Sequence, residues 1–81
     1  MTMINLEEAP SEKELEVIEI EAGTAAKQRL ISMGFHAGDK IIKYNRSSWG
    51  PVLIKNITLD SAKIAIGKGL ASKILVGYEV A

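Results

Sequence analysis

Five short runs of period-two apolar residues, tight turns rich in glycine, proline and aspartate, and a single stretch of helical periodicity predict a mainly β fold. The expected form is a small, five-stranded, partly open barrel with one inserted α-helix and a short helical turn before the last strand. The chain has 81 residues, 47% of them apolar and 25% charged. That is globular composition, and it suffices for one domain, since domains usually need about 100–150 residues. Cysteine is absent, which removes disulfides and thiolate-bound zinc or iron–sulfur clusters. The fold has to rest on packing.

Taken in order, residues 1–14 read as an irregular acidic lead-in to a single domain spanning 1–81. Pro10 and Ser11 break regular structure there, and the glutamates solvate it. Residues 15–20 (Leu-Glu-Val-Ile-Glu-Ile) form a strand with charge at exposed positions, and Gly23 ends it. Residues 24–33 form the helix: Thr24 is placed to cap its first N–H groups, and Ala26, Leu30 and Met33 share a face. Gly34 is positioned for the left-handed conformation past its end, with Phe35 packing back on Leu30. Ile31 cannot share that face, which leaves the helix apolar on a second side. About three turns cannot stand alone, so the helix must dock on a sheet.

Beyond the helix the period changes to two. Residues 41–46 and 52–57 are strands joined by the loop Ser47-Ser48-Trp49-Gly50-Pro51. Asp60 and Ser61 make the next turn, and in 62–66 Ala62, Ile64 and Ile66 point inward. Gly67-Lys68-Gly69 redirects the chain, 70–73 make one helical turn, and Ile74, Val76, Tyr78 and Val80 mark the closing strand.

The net charge of zero conceals a split. The first 21 residues hold seven glutamates against Lys13, a net −6, and the remainder carries nine basic residues against Asp39, Asp60 and Glu79, a net +6. The expectation is mutual neutralisation on folding, because both ends of a small barrel lie close together. No apolar run of membrane-spanning length and no secretory signal is present, so a cytoplasmic setting is expected. In that setting the sequon Asn56-Ile57-Thr58 carries no meaning.

Catalysis lacks its parts. His36 is the sole histidine, with no acid clearly set to orient it, and none of the six serines lies in a G-x-S-x-G elbow. His36 and Asp39 could offer two metal ligands, too few to close a specific site. Gly67-Lys68-Gly69 fails the phosphate-loop spacing. Lys40, Lys43, Arg46, Lys55, Lys63 and Lys68 beside Tyr44 and Trp49 could serve a nucleic-acid surface, but a pI near 6.6 falls short of the basic footprint such domains carry. Trp49, at a hairpin tip, either caps the barrel end or offers an apolar contact.

Three motifs, in this order, resemble one family. Residues 29–39 (Arg-Leu-Ile-Ser-Met-Gly-Phe-His-Ala-Gly-Asp) are similar to its helix ending RLxxLGxxPGxxI. Trp49-Gly50-Pro51-Val52 is similar to its GP hairpin, and 65–76 (Ala-Ile-Gly-Lys-Gly-Leu-Ala-Ser-Lys-Ile-Leu-Val) to its ALGRGLAxKIxV ending. A looser pattern in 6–20 extends the likeness over about residues 4–78. The family is FeoA, the small cytosolic companion of the ferrous iron transporter FeoB. Ala37 stands where the family usually has proline, and Asp60-Ser61 replace its commoner glycine-bearing turn.

The resemblance implies an SH3-like barrel with a helical insertion, acting as a non-enzymatic adaptor on FeoB, whose own G domain hydrolyses GTP. It places the domain in the cytoplasm, peripheral to the membrane only through FeoB. It ties the family to transition-metal ions, while this domain is expected to use no cofactor and to hold neither iron nor nucleotide. The expected partner contacts are Leu30, Met33, Phe35 and Trp49, each with a rival place in the core, and self-association is open. Two other readings stay open: a metal-sensing module that works with a repressor, and a nucleic-acid-binding barrel.

Overall fold

Alternation along the chain decides the sheet. The structure, a computed structural model, describes residues 1–44, 50–60 and 62–80. Its strands are β1 (Thr2–Asn5), β2 (Glu14–Ile20), β3 (Lys40–Lys43), β4 (Val52–Asn56), β5 (Ile64–Ile66) and β6 (Ile74–Tyr78). Helix α1 (Thr24–Ser32) lies between β2 and β3, and the four-residue α2 (Lys68–Ala71) between β5 and β6. The strands form one antiparallel sheet in the order β1-β6-β2-β3-β4-β5. The inward positions of each strand meet in one core, in which Leu6, Leu15, Val17, Leu30, Phe35, Ile41, Ile54, Ile66, Ile74 and Val76 are all at most 2% exposed.

All five expected strands are present, and a sixth corrects the expectation of an irregular lead-in. Residues 2–5 pair along β6, from Thr2 opposite Tyr78 to Asn5 opposite Leu75. The glutamates begin only at Glu7, and the six residues before them carry no charge. Ile4 and Leu6, two apart, therefore turn to the core, with Leu6 fully buried. Ala9 joins them.

Lys43 holds this segment down. Its ammonium is donated to the carbonyl oxygens of Glu7 (2.5 Å) and Ala9 (2.9 Å), while its own carbonyl accepts the Glu12 N–H at 2.7 Å. The residue is only 5% exposed. Burial pulls the ammonium below its ordinary value of 10.5, against the charge of Glu7. Lys43 is a structural tether and no part of a basic surface.

Strand β2 changes partners along its length. Glu14–Glu16 face β3, and from Glu16 onward it faces β6, with a bulge between Val17 and Glu19. Helix α1 begins one residue earlier in its capping than expected. Gly23, in extended conformation, is the N-cap, its carbonyl accepts the Lys27 N–H at 2.9 Å, and Thr24 is already helical without a side-chain cap. The stop is as expected. Gly34 has φ +83, the Phe35 N–H reaches back to the Leu30 carbonyl at 2.9 Å, and the Gly34 N–H reaches that of Ile31 at 3.0 Å, the paired bonds of a Schellman motif.

Several boundaries shift: β3 begins at Lys40 and ends at Lys43, and β4 ends at Asn56. Ala62 is exposed and precedes β5; Val80, 71% exposed, lies beyond β6; and α2 starts two residues before its expected position because the Gly67 carbonyl already accepts from the Ala71 N–H. In the 57–60 turn Asp60 takes φ +50, a left-handed conformation that glycine adopts more cheaply. This accounts for the glycine that the resembled family favours there. Arg46 and Ser61 lie outside the described residues.

Candidate interaction surface

Helix α1 is seated on a narrow base. Leu30 is its one buried residue, and the Schellman stop adds Phe35, so both flanks of the helix stay open. One flank borders a groove of about 250 Å³, with Arg29, Leu30 and Met33 on the helix side and Ala65, Ile66, Gly67 and Leu70 opposite. The other flank borders a second groove of about 250 Å³, between Lys27, Ile31, His36 and Ala37 and the β2 residues Ile18, Glu19 and Ile20. Ile31 is 46% exposed and Met33 40%, and Leu59, 51% exposed, reaches over Gly34 beside them. Together they leave apolar side chains exposed on both flanks of the helix.

Of the four expected contact residues, Met33 lies on this surface. Leu30 and Phe35 are 1% exposed and take the rival place in the core that the sequence allowed them. The reason lies in the helix stop, whose 6→1 bond folds Phe35 back over Leu30's turn and into the core. Trp49 lies outside the described residues. Residue-level reading passed over Ala65, Leu70 and Leu59; only the second apolar side of α1, at Ile31, was visible as a signal.

The helix stop is pinned from below by Asn56, which is fully buried. Its amide donates to the Gly34 carbonyl (2.7 Å) and to Asp39 Oδ2 (2.8 Å), and its Oδ1 accepts the Leu59 N–H at 3.1 Å. Asp39 Oδ2 also accepts the His36 backbone N–H (3.0 Å) and stands 3.2 Å from His36 Nδ1. An acid does orient His36, then, contrary to expectation. Among the described residues no three His, Cys, Asp or Glu side chains converge.

Partial burial favours the neutral form of Asp39, but hydrogen bonds from the Asn56 amide, the His36 N–H and the His36 ring outweigh it. They hold its carboxyl below the ordinary 3.8. The folded state thus takes up this proton less readily than the unfolded chain. The carboxylate stabilises the fold above the ordinary range, and that contribution is lost as pH falls through and below it. Wild type and Asp39→Asn should therefore differ most in melting temperature near neutral pH, with the gap closing below about pH 4. A gap unchanged from pH 7 to 3, followed by circular dichroism, would show that the charge of Asp39 has no part in stability.

The charge split is offset in part across its two halves. Lys40 pairs with Glu16 (3.1 Å), whose carboxylate raises the Lys40 ammonium above its ordinary value, and Lys68 pairs with Glu7 (3.7 Å). Lys55 meets Asp60 at 3.3 Å, and the Lys63 ammonium lies 4.5 Å from the Tyr44 ring centre. With Lys43 buried, every described lysine in the basic set considered for nucleic acid is engaged within the molecule. No helix among the described residues is long and apolar enough to cross a membrane.

Comparison with known proteins converges on one family. The FeoA domain profile matches residues 4–77. Fe(2+) transport protein A of Methanocaldococcus jannaschii is 47% identical over 64 residues, covering 79% of this chain and 73% of that protein. The crystal structure of an iron uptake regulatory protein, FeoA, superposes with a TM-score of 0.79 at 30% identity, over 94% of this chain and 96% of the other. The zinc complex of Stenotrophomonas maltophilia FeoA, described as a prokaryotic SH3 domain protein, matches at TM-score 0.67 and 20% identity over 91% of this chain and 89% of its own, a likeness of fold. A profile spanning nearly the whole chain, a relative at 47% identity and a shared SH3-like sheet lead to one conclusion: this chain belongs to the FeoA family, which is linked to ferrous iron transport.

Proposed function

We propose that the domain is a non-enzymatic cytoplasmic adaptor that docks on the cytosolic part of the ferrous iron transporter FeoB and supports ferrous iron uptake. The observation that carries this reading is the open apolar surface of α1, where Met33 and Ile31 stand exposed beside two grooves on a helix anchored by one buried leucine. Such a surface is suited to binding another protein. The family's tie to ferrous iron transport supports the transporter as that protein, and the Stenotrophomonas maltophilia protein is itself described as a candidate transport activating factor. Membrane association would come through FeoB.

Calorimetric titration of the purified chain into detergent-solubilised FeoB of the same organism, with and without a GTP analogue, tests the proposal. Saturable binding is expected. Met33→Asp should weaken it by roughly fivefold or more, the loss that marks an interface residue worth over about 1 kcal/mol. Its melting temperature should stay near wild type, because the residue lies outside the core. Absence of binding in both nucleotide states, with both proteins folded, would overturn the adaptor reading.

A further inference from the structure

Strand β5 ends the sheet, and among the described residues one of its edges has no neighbouring strand. Which of its backbone groups face that edge follows from the register. The Leu53 carbonyl accepts the Tyr44 N–H at 2.9 Å, so the polar groups of Leu53 face β3. Leu53 is opposite Ala65, and in an antiparallel ladder opposed residues alternate between bonded and non-bonded pairs. The N–H and C=O of Ala65 therefore point away from β4. No described residue pairs with them, and Ala65 is exposed. Ile64, Ala65 and Ile66 include neither a charge nor a proline, the usual devices that blunt an open edge.

This edge forms one wall of the groove whose other wall is α1. At about 250 Å³ the groove is smaller than the roughly 300–1,000 Å³ of sites that enclose small molecules. It suits an anchoring side chain, with Leu30 and Ile66 as an apolar floor. No acidic residue lines it; the charge at its rim is Arg29, which has no ion pair among the described residues. A slot between an edge strand and a helix is the geometry in which extended peptides are bound by strand addition.

We infer that this slot takes an extended segment of the transporter, added to β5 as a seventh strand through the Ala65 N–H and C=O. One apolar side chain of the segment enters the groove, and a carboxylate meets Arg29. The inference rests on the docking reading above and specifies its surface. A second copy of this chain is the poorer occupant, because two-fold pairing of β5 with β5 would bring two Arg29 guanidiniums to an interface whose grooves hold no acid.

Two variants test it in the same titration with intact FeoB. Ala65→Pro removes the outward N–H and obstructs a seventh strand, yet edge strands accept proline where the N–H faces solvent, so the fold should survive. About tenfold weaker binding is expected, the scale of a lost interfacial hydrogen bond. Arg29→Glu on the exposed helix surface should weaken binding and abolish its salt dependence, at unchanged melting temperature. Amide exchange at Ala65 in the wild type serves as a readout that needs no variant, with protection appearing only in the complex. If FeoB binds wild type and both variants equally and Ala65 stays unprotected, strand addition is overturned while the adaptor reading stands. If wild type does not bind at all, both fall. Protection of Ala65 that rises with protein concentration in the absence of FeoB would assign the edge to self-association and overturn the inference.

Discussion

Replacing Asn56 by leucine should lower the melting temperature by roughly 12–24 °C, taking about 3 kcal/mol and the usual 4–8 °C per kcal/mol for a domain of this size. The side chain is of similar bulk, so the loss is one of partners. The Gly34 carbonyl and the Leu59 N–H, in part-buried bonds, would be left without the amide that satisfies them, and a group so stranded costs about 1–3 kcal/mol where water does not replace the bond. Asp39, 13% exposed, recovers part of its loss from water. Asn56→Asp separates shape from hydrogen bonding. It keeps the acceptor for Leu59 but sets a carboxylate against Asp39, so it should be at least as damaging at neutral pH and should recover in part as the medium is acidified. A melting temperature within a few degrees of wild type for Asn56→Leu would show that Asn56 is not the junction of helix stop and turns.

Phe35→Ala should be of the same order, about 3–5 kcal/mol, as for other buried phenylalanines truncated in a core. A domain of this length has about 4–12 kcal/mol in total, so the variant should be marginally folded at ambient temperature. Urea unfolding and near-ultraviolet circular dichroism would measure the loss. The comparison that gives it meaning is Met33→Ala, two positions away on the surface, which should change stability by less than about 0.5 kcal/mol. Loss of partner binding in Phe35→Ala would then report unfolding, while loss in a Met33 variant would report contact. Near-wild-type stability for Phe35→Ala would contradict its place in the core.

How much of this was legible in the sequence depended on whether a residue obeyed the rule of its type. Gly34 and Phe35 did, and the helix stop was readable down to its bonding pattern. Lys43 did not: lysines are almost never buried, and only the approach of two carbonyls from a segment 34 and 36 residues away makes this one an exception. Asn56 was hidden for a related reason. A polar residue at a strand end reads as surface, and its partners at Gly34, Asp39 and Leu59 come together only in three dimensions. Strand β1 was obscured by the glutamates that follow it, since four residues give little room for a period to show. The interaction surface was half visible. Ile31 marked a helix with apolar area to spare, but the opposite wall at Ala65 and Leu70 depends on how β5 and α2 are brought to the helix.

The position of β6 sets the order in which the molecule can assemble. This strand is the last in the chain and yet lies inside the sheet, between β1 and β2. Its pairings join residues 2–5 with 75–78 and 16–20 with 74–77, separations of most of the chain's length. Neighbouring segments can find one another early, as β3 and β4 do through a hairpin, but the N-terminal strand has nothing to pair with until the far end of the polypeptide returns. Closing such long loops costs entropy before any contact repays it, so folding is gated by a single late event. Until it occurs, Leu6 and Val17 have no sheet to cover them, and the interval between collapse and closure is when this small domain is most exposed to aggregation.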